Sequence, residues 1–209
     1  MAALLSWESP LWRFTAGENN GEHGWHSIRT GSAFGALILA SSIHTPTTMK
    51  SLEKLLREQL ADMHYAEKHI LTRLPKMAEA AQAEELRQAF EQHEAETQEH
   101  VTRIEEAFEL LGLKPKSKKC EAILGLLEEG DEILKDFKDE EGLDAALICA
   151  AQKVEHYEIA TYGSMLTWAR QLGHEEVANL LEATLSEERH TDTSLTKLAE
   201  DGVNASAMS

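Results

Sequence analysis

Carboxylates and imidazoles recur in this sequence at positions where a helical chain would turn them inward. Glu67, His93, His100, Glu155, Glu158 and Glu188 fall on apolar stripes spaced three and four residues apart, with Glu96 flanking the two histidines. Asp192 follows Glu188 one turn later. Oxygen-rich donors with one or two imidazoles suit iron or manganese better than zinc, which prefers more nitrogen or sulfur. A buried, unpaired carboxylate costs several kcal/mol even after relaxation, against about 5–15 kcal/mol of net stability for a domain. Five facing carboxylates must therefore be protonated, paired with cations or bound to metal, and the inward stripes offer no Lys or Arg at this level. Singly, the residues read differently. Glu67 or Glu188 alone would be a stripe-edge glutamate, His93 alone a core histidine. His100 and Asp192, each four residues beyond a glutamate, are second-tier candidates. Tyr162 and Thr97 fit core packing with a hydrogen-bonding tip.

The elements that must position these groups are helices. The first is expected from about 51 to 81, with Ser51 as a cap and Pro75 imposing a kink or early end. The second runs from about 84 to 111, stopped by Gly112 and Pro115; a shorter one covers about 118–137. Two long helices follow, about 142–172 and 174–200, separated by Gly173 and ended by Gly202. Their stripes are apolar at both ends: Leu52, Leu56, Leu60 and Met63 before Glu67, for example, and Ile70, Leu74 and Met77 after it. The five glutamates each lie within about two residues, or about 3 Å along the axis, of the middle of their helix. Packing the four long helices side by side brings them to one level. Short loops make two antiparallel hairpins, and one long crossover joins them, which is the connectivity of an all-α, ferritin-like four-helix bundle with a short extra helix in the crossover.

Composition sets the outer limits. The 209 residues carry 37 acidic against 20 basic side chains, a formal charge of −17, which argues against nucleic acid as a partner. Cys120 and Cys149 make no disulfide framework. No apolar run approaches the roughly 20 residues needed to span a bilayer; Ala33–Ile43 is short, carries Gly35, and makes a poor signal sequence. The expectation is a cytoplasmic protein without a membrane partner. Residues 1–48 hold Trp7, Trp12 and Trp25, lack helical periodicity and carry little charge; they read as a disordered or non-native extension, with Met49 as a natural start. The domain is expected over 49–203, with a disordered tail at 204–209.

Three segments carry a resemblance: "LADMHYAEKHILTRLPKMAEAA", "QAFEQHEAETQEHVTRIEEAF" and the stretch from "AALICAAQKVEHYEIATYGSMLTWARQ" to "TDTSLTKLA". Over roughly 50–200 they resemble the YciE/YciF family of bacterial stress-associated, rubrerythrin-related proteins. The resemblance implies a five-helix subunit, homodimers, two iron ions per subunit, and a ferroxidase assignment resting on fold kinship. Glu67 matches the single glutamate of the first helix in such proteins. Glu155 and Glu158 match an E-x-x-E pair, and Glu188 and Glu96 match bridging glutamates. The usual E-x-x-H is missing, because Glu99 follows Glu96 and Thr191 follows Glu188 at the third position. The imidazole would come from His93 or His100, and Asp192 would stand in on the last helix. The implied function is a ferroxidase or peroxide-consuming oxidoreductase using O2 or H2O2 and an external electron donor, since no Cys-rich electron-transfer module is present. The alternative is a non-enzymatic, dimeric metal-binding or stress-interaction bundle.

Overall fold

A computed structural model describes residues 51–208; the expected N-terminal extension lies outside them. Helix α1 spans Ser51–Ile70, beginning at the residue read as its cap. Leu71–Arg73 form a turn, and α2, Leu74–Ala80, restarts the helix with Pro75 in its first positions. Proline is tolerated there because its missing N–H would have no helical acceptor. The rod is thus interrupted where Pro75 predicts.

Helix α3 spans Glu84–Leu110, α4 Glu121–Asp136, α5 Leu143–Leu172 and α6 Glu175–Leu198. A π turn, Ala199–Val203, and a short α7, Asn204–Ser206, follow within the stretch expected as the domain end and tail. Gly173 stops α5 at φ +81°, a left-handed conformation that glycine adopts without steric cost. The His174 N–H then reaches back to the Ala169 carbonyl at 2.9 Å, satisfying a terminal acceptor.

The broken α1–α2 rod and α3 form one hairpin, and α5 and α6 the other. Helix α3 packs on α6 and α1 on α5, closing a four-helix bundle, while α4 in the crossover lies against α5. This is the ferritin-like arrangement with one long connection. Asp144 fixes one end of the bundle, accepting the backbone N–H groups of Gln82 at 2.8 Å and Ala83 at 2.7 Å. It thereby holds, from α5, the turn that enters α3, whose N-cap residue Ala83 has no side-chain capping bond of its own.

Leu56, Leu60, Leu86, Phe90, Ile104, Phe108, Leu147, Met165 and Leu181 are all at most 2% exposed. Each such side chain contributes about 1.5–3 kcal/mol through burial. They form the apolar layers of a core whose middle is polar. Both cysteines are free, Cys120 buried and Cys149 exposed. Among the described residues, no helix is long and apolar enough to cross a membrane.

Candidate metal centre

Each long helix delivers part of the polar layer. Glu67 comes from α1, His93 and His100 from α3, Glu155 and Glu158 from α5, and Glu188 from α6. The seven-residue interval between the two histidines is two helical turns, so both rings leave the same face. The three-residue interval between Glu155 and Glu158 does the same on α5. Exposure is 0% for Glu67, His100 and Glu188, 1% for Glu155 and Glu158, and 4% for His93.

These side chains form two groups that share one residue. His93, Glu155, Glu158 and Glu188 each offer a donor atom within 4.8 Å of the others, and Glu67, His100 and Glu188 do likewise. His93 Nε2 lies 3.2 Å from Glu155 Oε1. His100 Nδ1 lies 3.1 Å from Glu188 Oε1 and 3.7 Å from Glu67 Oε2. Proximity does not become pairing, because these nitrogens lack an aligned hydrogen bond. Nine of the eleven buried side-chain polar atoms without a hydrogen-bond partner among the described residues belong to these six side chains. Native interiors leave few polar groups unpaired, so such a concentration calls for a ligand. Four carboxylates and two neutral imidazoles match the charge of two divalent cations, and the donor types suit iron or manganese. Protons on both imidazoles and two of the carboxyls would balance the charge as well, but they leave these donor atoms without hydrogen-bond partners.

The electrostatics of the metal-free cluster follow from burial and crowding. Burial raises the Glu188 carboxyl, as do Glu155 and Glu67; His100 opposes them, and the result is about 8. Burial and the charges of Glu188, Glu67 and Glu155 push Glu158 well above its ordinary range. Burial by itself would lower His100, but Glu188 and Glu67 outweigh it and raise the imidazole to about 10. The same contest, with Glu155 as the main opponent of burial, raises His93. Tyr162, fully buried, donates its hydroxyl to Glu67 Oε1, and burial with the Glu67 charge raises its phenol too. Thr97 donates to the His93 carbonyl at 2.8 Å, the packing role its type implied.

The structure places three of the candidate residues differently. Glu96 stands at the edge, its side chain 24% exposed, 3.9 Å from His93 Nδ1 and accepting from Gln92; it belongs to neither group. His93 lowers its carboxyl. Asp192 turns away, accepting from Gln152 at 3.0 Å and lying 3.2 Å from exposed His156. His100, placed in the second tier by sequence, sits at the centre. Glu187 and Arg103 were missed. Glu187 Oε2 meets His100 Nε2 at 2.9 Å, and Arg103 grips Glu187 from outside. Their signal was the spacing of His100 and Arg103 on one face of α3, legible only once α6 is placed opposite.

A family profile described as "Domain of unknown function (DUF892)" matches residues 51–208. The chain belongs to this family. Protein YciF of Escherichia coli K12 is 46% identical over 160 residues, which are 76% of this chain and 96% of that protein. The solved structure of the E. coli stress protein YciF aligns with a TM-score of 0.71 at 46% identity, over 75% of this chain and 99% of that one. YcfI from Rhodopseudomonas palustris aligns with a TM-score of 0.68 at 41% identity, over 72% and 96%. The family members thus share the bundle, and the YciE/YciF resemblance of the sequence is sustained.

Proposed function

We propose that this protein is a dinuclear carboxylate metalloprotein, di-iron or iron and manganese, that consumes O2 or H2O2 as a ferroxidase or peroxidase-type oxidoreductase. The observation that carries the reading is the set of nine unpaired, buried donor atoms arranged as two groups around Glu188. Glu67, His100 and Glu188 would hold one ion, and His93, Glu155, Glu158 and Glu188 the other. Held there, two iron(II) ions would supply one electron each, which would suit a two-electron acceptor.

The chain's own part is to assemble and shield. The apolar layers above and below keep bulk water from the donors, which strengthens their attraction for cations. Tyr162 holds one Glu67 oxygen, leaving the other directed at the cluster. Glu96, half-way to solvent beside His93, is placed to meet an ion on its way to the buried donors. E. coli YciF is described as a stress protein, and a stress role with an external reductant belongs to the same proposal, as does the homodimer implied by the resemblance.

The test is metal analysis of the purified protein, then oxygen uptake on adding Fe(II). Two metals per chain and uptake abolished by Glu188→Ala are expected. Metal binding without uptake would make the site structural, and wild-type protein that binds no metal would end the proposal.

A further inference from the structure

The two histidines of the cluster are held unequally. His93 has no aligned partner on either ring nitrogen; Glu155 and Glu96 approach at 3.2 and 3.9 Å without completing a hydrogen bond. His100 is anchored from behind. Its Nε2 meets Glu187 Oε2 at 2.9 Å, and Arg103 clamps both oxygens of that carboxylate, with Nη2 at 2.9 Å from Oε1 and Nη1 on Oε2. Arg103 Nη1 also donates to Thr184 Oγ1 at 3.2 Å, tying the fork to α6 one turn before Glu187. A bidentate arginine–carboxylate pair is among the more rigid polar contacts, and this one is only partly exposed, at 23% and 33%.

The consequence is chemical. An ionised carboxylate only accepts hydrogen bonds, so the proton on Nε2 is fixed by Glu187 and the lone pair of a neutral ring must lie on Nδ1. Nδ1 is the nitrogen facing Glu188 and Glu67. Outer hydrogen bonds of this kind fix the tautomer and orientation of a ligating histidine, and removing one weakens metal binding about 10–100-fold.

Resting on the metal reading above, we propose that Glu187 and Arg103 are positioning residues that preset His100, making the Glu67–His100–Glu188 group the tighter of two unequal metal positions. The group around His93 fills second, because its imidazole must be oriented when the ion arrives. Neither Glu187 nor Arg103 touches the ion; both act through the ring.

The test is titration of metal-free protein with Co(II), followed by its visible absorption, alongside nitrogen-15 NMR of the metal-free histidines. Wild type is expected to bind in two resolved steps. Glu187→Ala should weaken the first step about 10–100-fold, leave the second within about threefold, and move the His100 Nε2–H resonance. Glu187→Gln keeps an acceptor oxygen but loses the charge that pairs with Arg103, and should recover part of the loss; it also serves if the alanine variant fails to fold. Equal steps in wild type, an unchanged first step in the variants, or equal weakening of both steps would overturn the ordering while leaving the metal reading intact. A wild-type protein that binds no Co(II) would remove both.

Discussion

Replacing Glu158 by Gln should stabilise the metal-free protein and destabilise the metal-loaded one. Glu158 is 1% exposed and neither of its oxygens has a hydrogen-bond partner. Burial and the neighbouring carboxylates raise its carboxyl well above 4.5. The unfolded chain therefore releases this proton near its ordinary value while the folded chain retains it, so raising the pH from about 4.5 toward the raised folded value favours unfolding. Glutamine removes that penalty, and its amide can donate to Glu188, Glu67 or Glu155. Each unit between the unfolded and folded values is worth about 1.4 kcal/mol, and taking about 2 kcal/mol, the variant should melt about 4–8 °C higher at pH 8 in chelator. At pH 4, where both side chains are neutral, the difference should nearly vanish. Metal reverses the order: a ligand at 100 times its Kd adds about 2.7 kcal/mol to the wild type, and the variant forfeits much of this with its donor. Thermal melts followed by circular dichroism, with chelator and with Mn(II), check each arm. A variant that melts no higher than wild type at pH 8 without metal, or whose gain is the same at pH 4 and 8, would refute the account of the cluster as crowded and unsatisfied.

Metal affinity should rise with pH, because the His100 imidazole, raised to about 10, and the Glu188 carboxyl, raised to about 8, keep protons that the ion must displace. Calorimetry of Mn(II) binding in two buffers of different ionisation enthalpy should register proton release between pH 6 and 8; a flat affinity would contradict those shifts. The metal-free fold should weaken over the same direction. The His100 contribution is complete below about 6.5 and lost as pH rises through about 10, while the Glu188 penalty grows from about 4.5 to about 8. A melting temperature in chelator that is higher at pH 9 than at pH 6 would speak against both. Asp144→Ala leaves the Gln82 and Ala83 N–H groups without their acceptor and should cost about 2 kcal/mol, read as a lower melting temperature with metal stoichiometry unchanged. Lost metal would mean that this end of the bundle also sets the site.

Sequence alone determined the helices and the level of the site. Pro75, Gly112, Gly173 and Gly202 punctuate the chain whatever it packs against, because fixed or freed backbone angles act locally. The 3.6-residue period assigned an inward face to each helix, and the position of Glu67, Glu155, Glu158 and Glu188 within those faces placed the polar layer in the middle of the bundle. What the period cannot resolve is rotation within a face. Glu96 and His100 are four residues apart on α3, close enough that either could have pointed at the centre. The docking of α3 against α1 and α6 put His100 inside and left Glu96 at the edge. The reversed H-x-x-E spacing of His93 and Glu96 put His93 ahead of His100 as the imidazole donor, whereas the bundle brings both rings into the cluster. Glu187 became visible only through its partners on α3, because a glutamate beside a buried glutamate reads as a solvated face until Arg103 and His100 are brought against it. The carboxylate layer of the candidate site is thus inscribed in helical phase, while the choice among adjacent donors, and the support behind His100, came from how four helices turn toward one another.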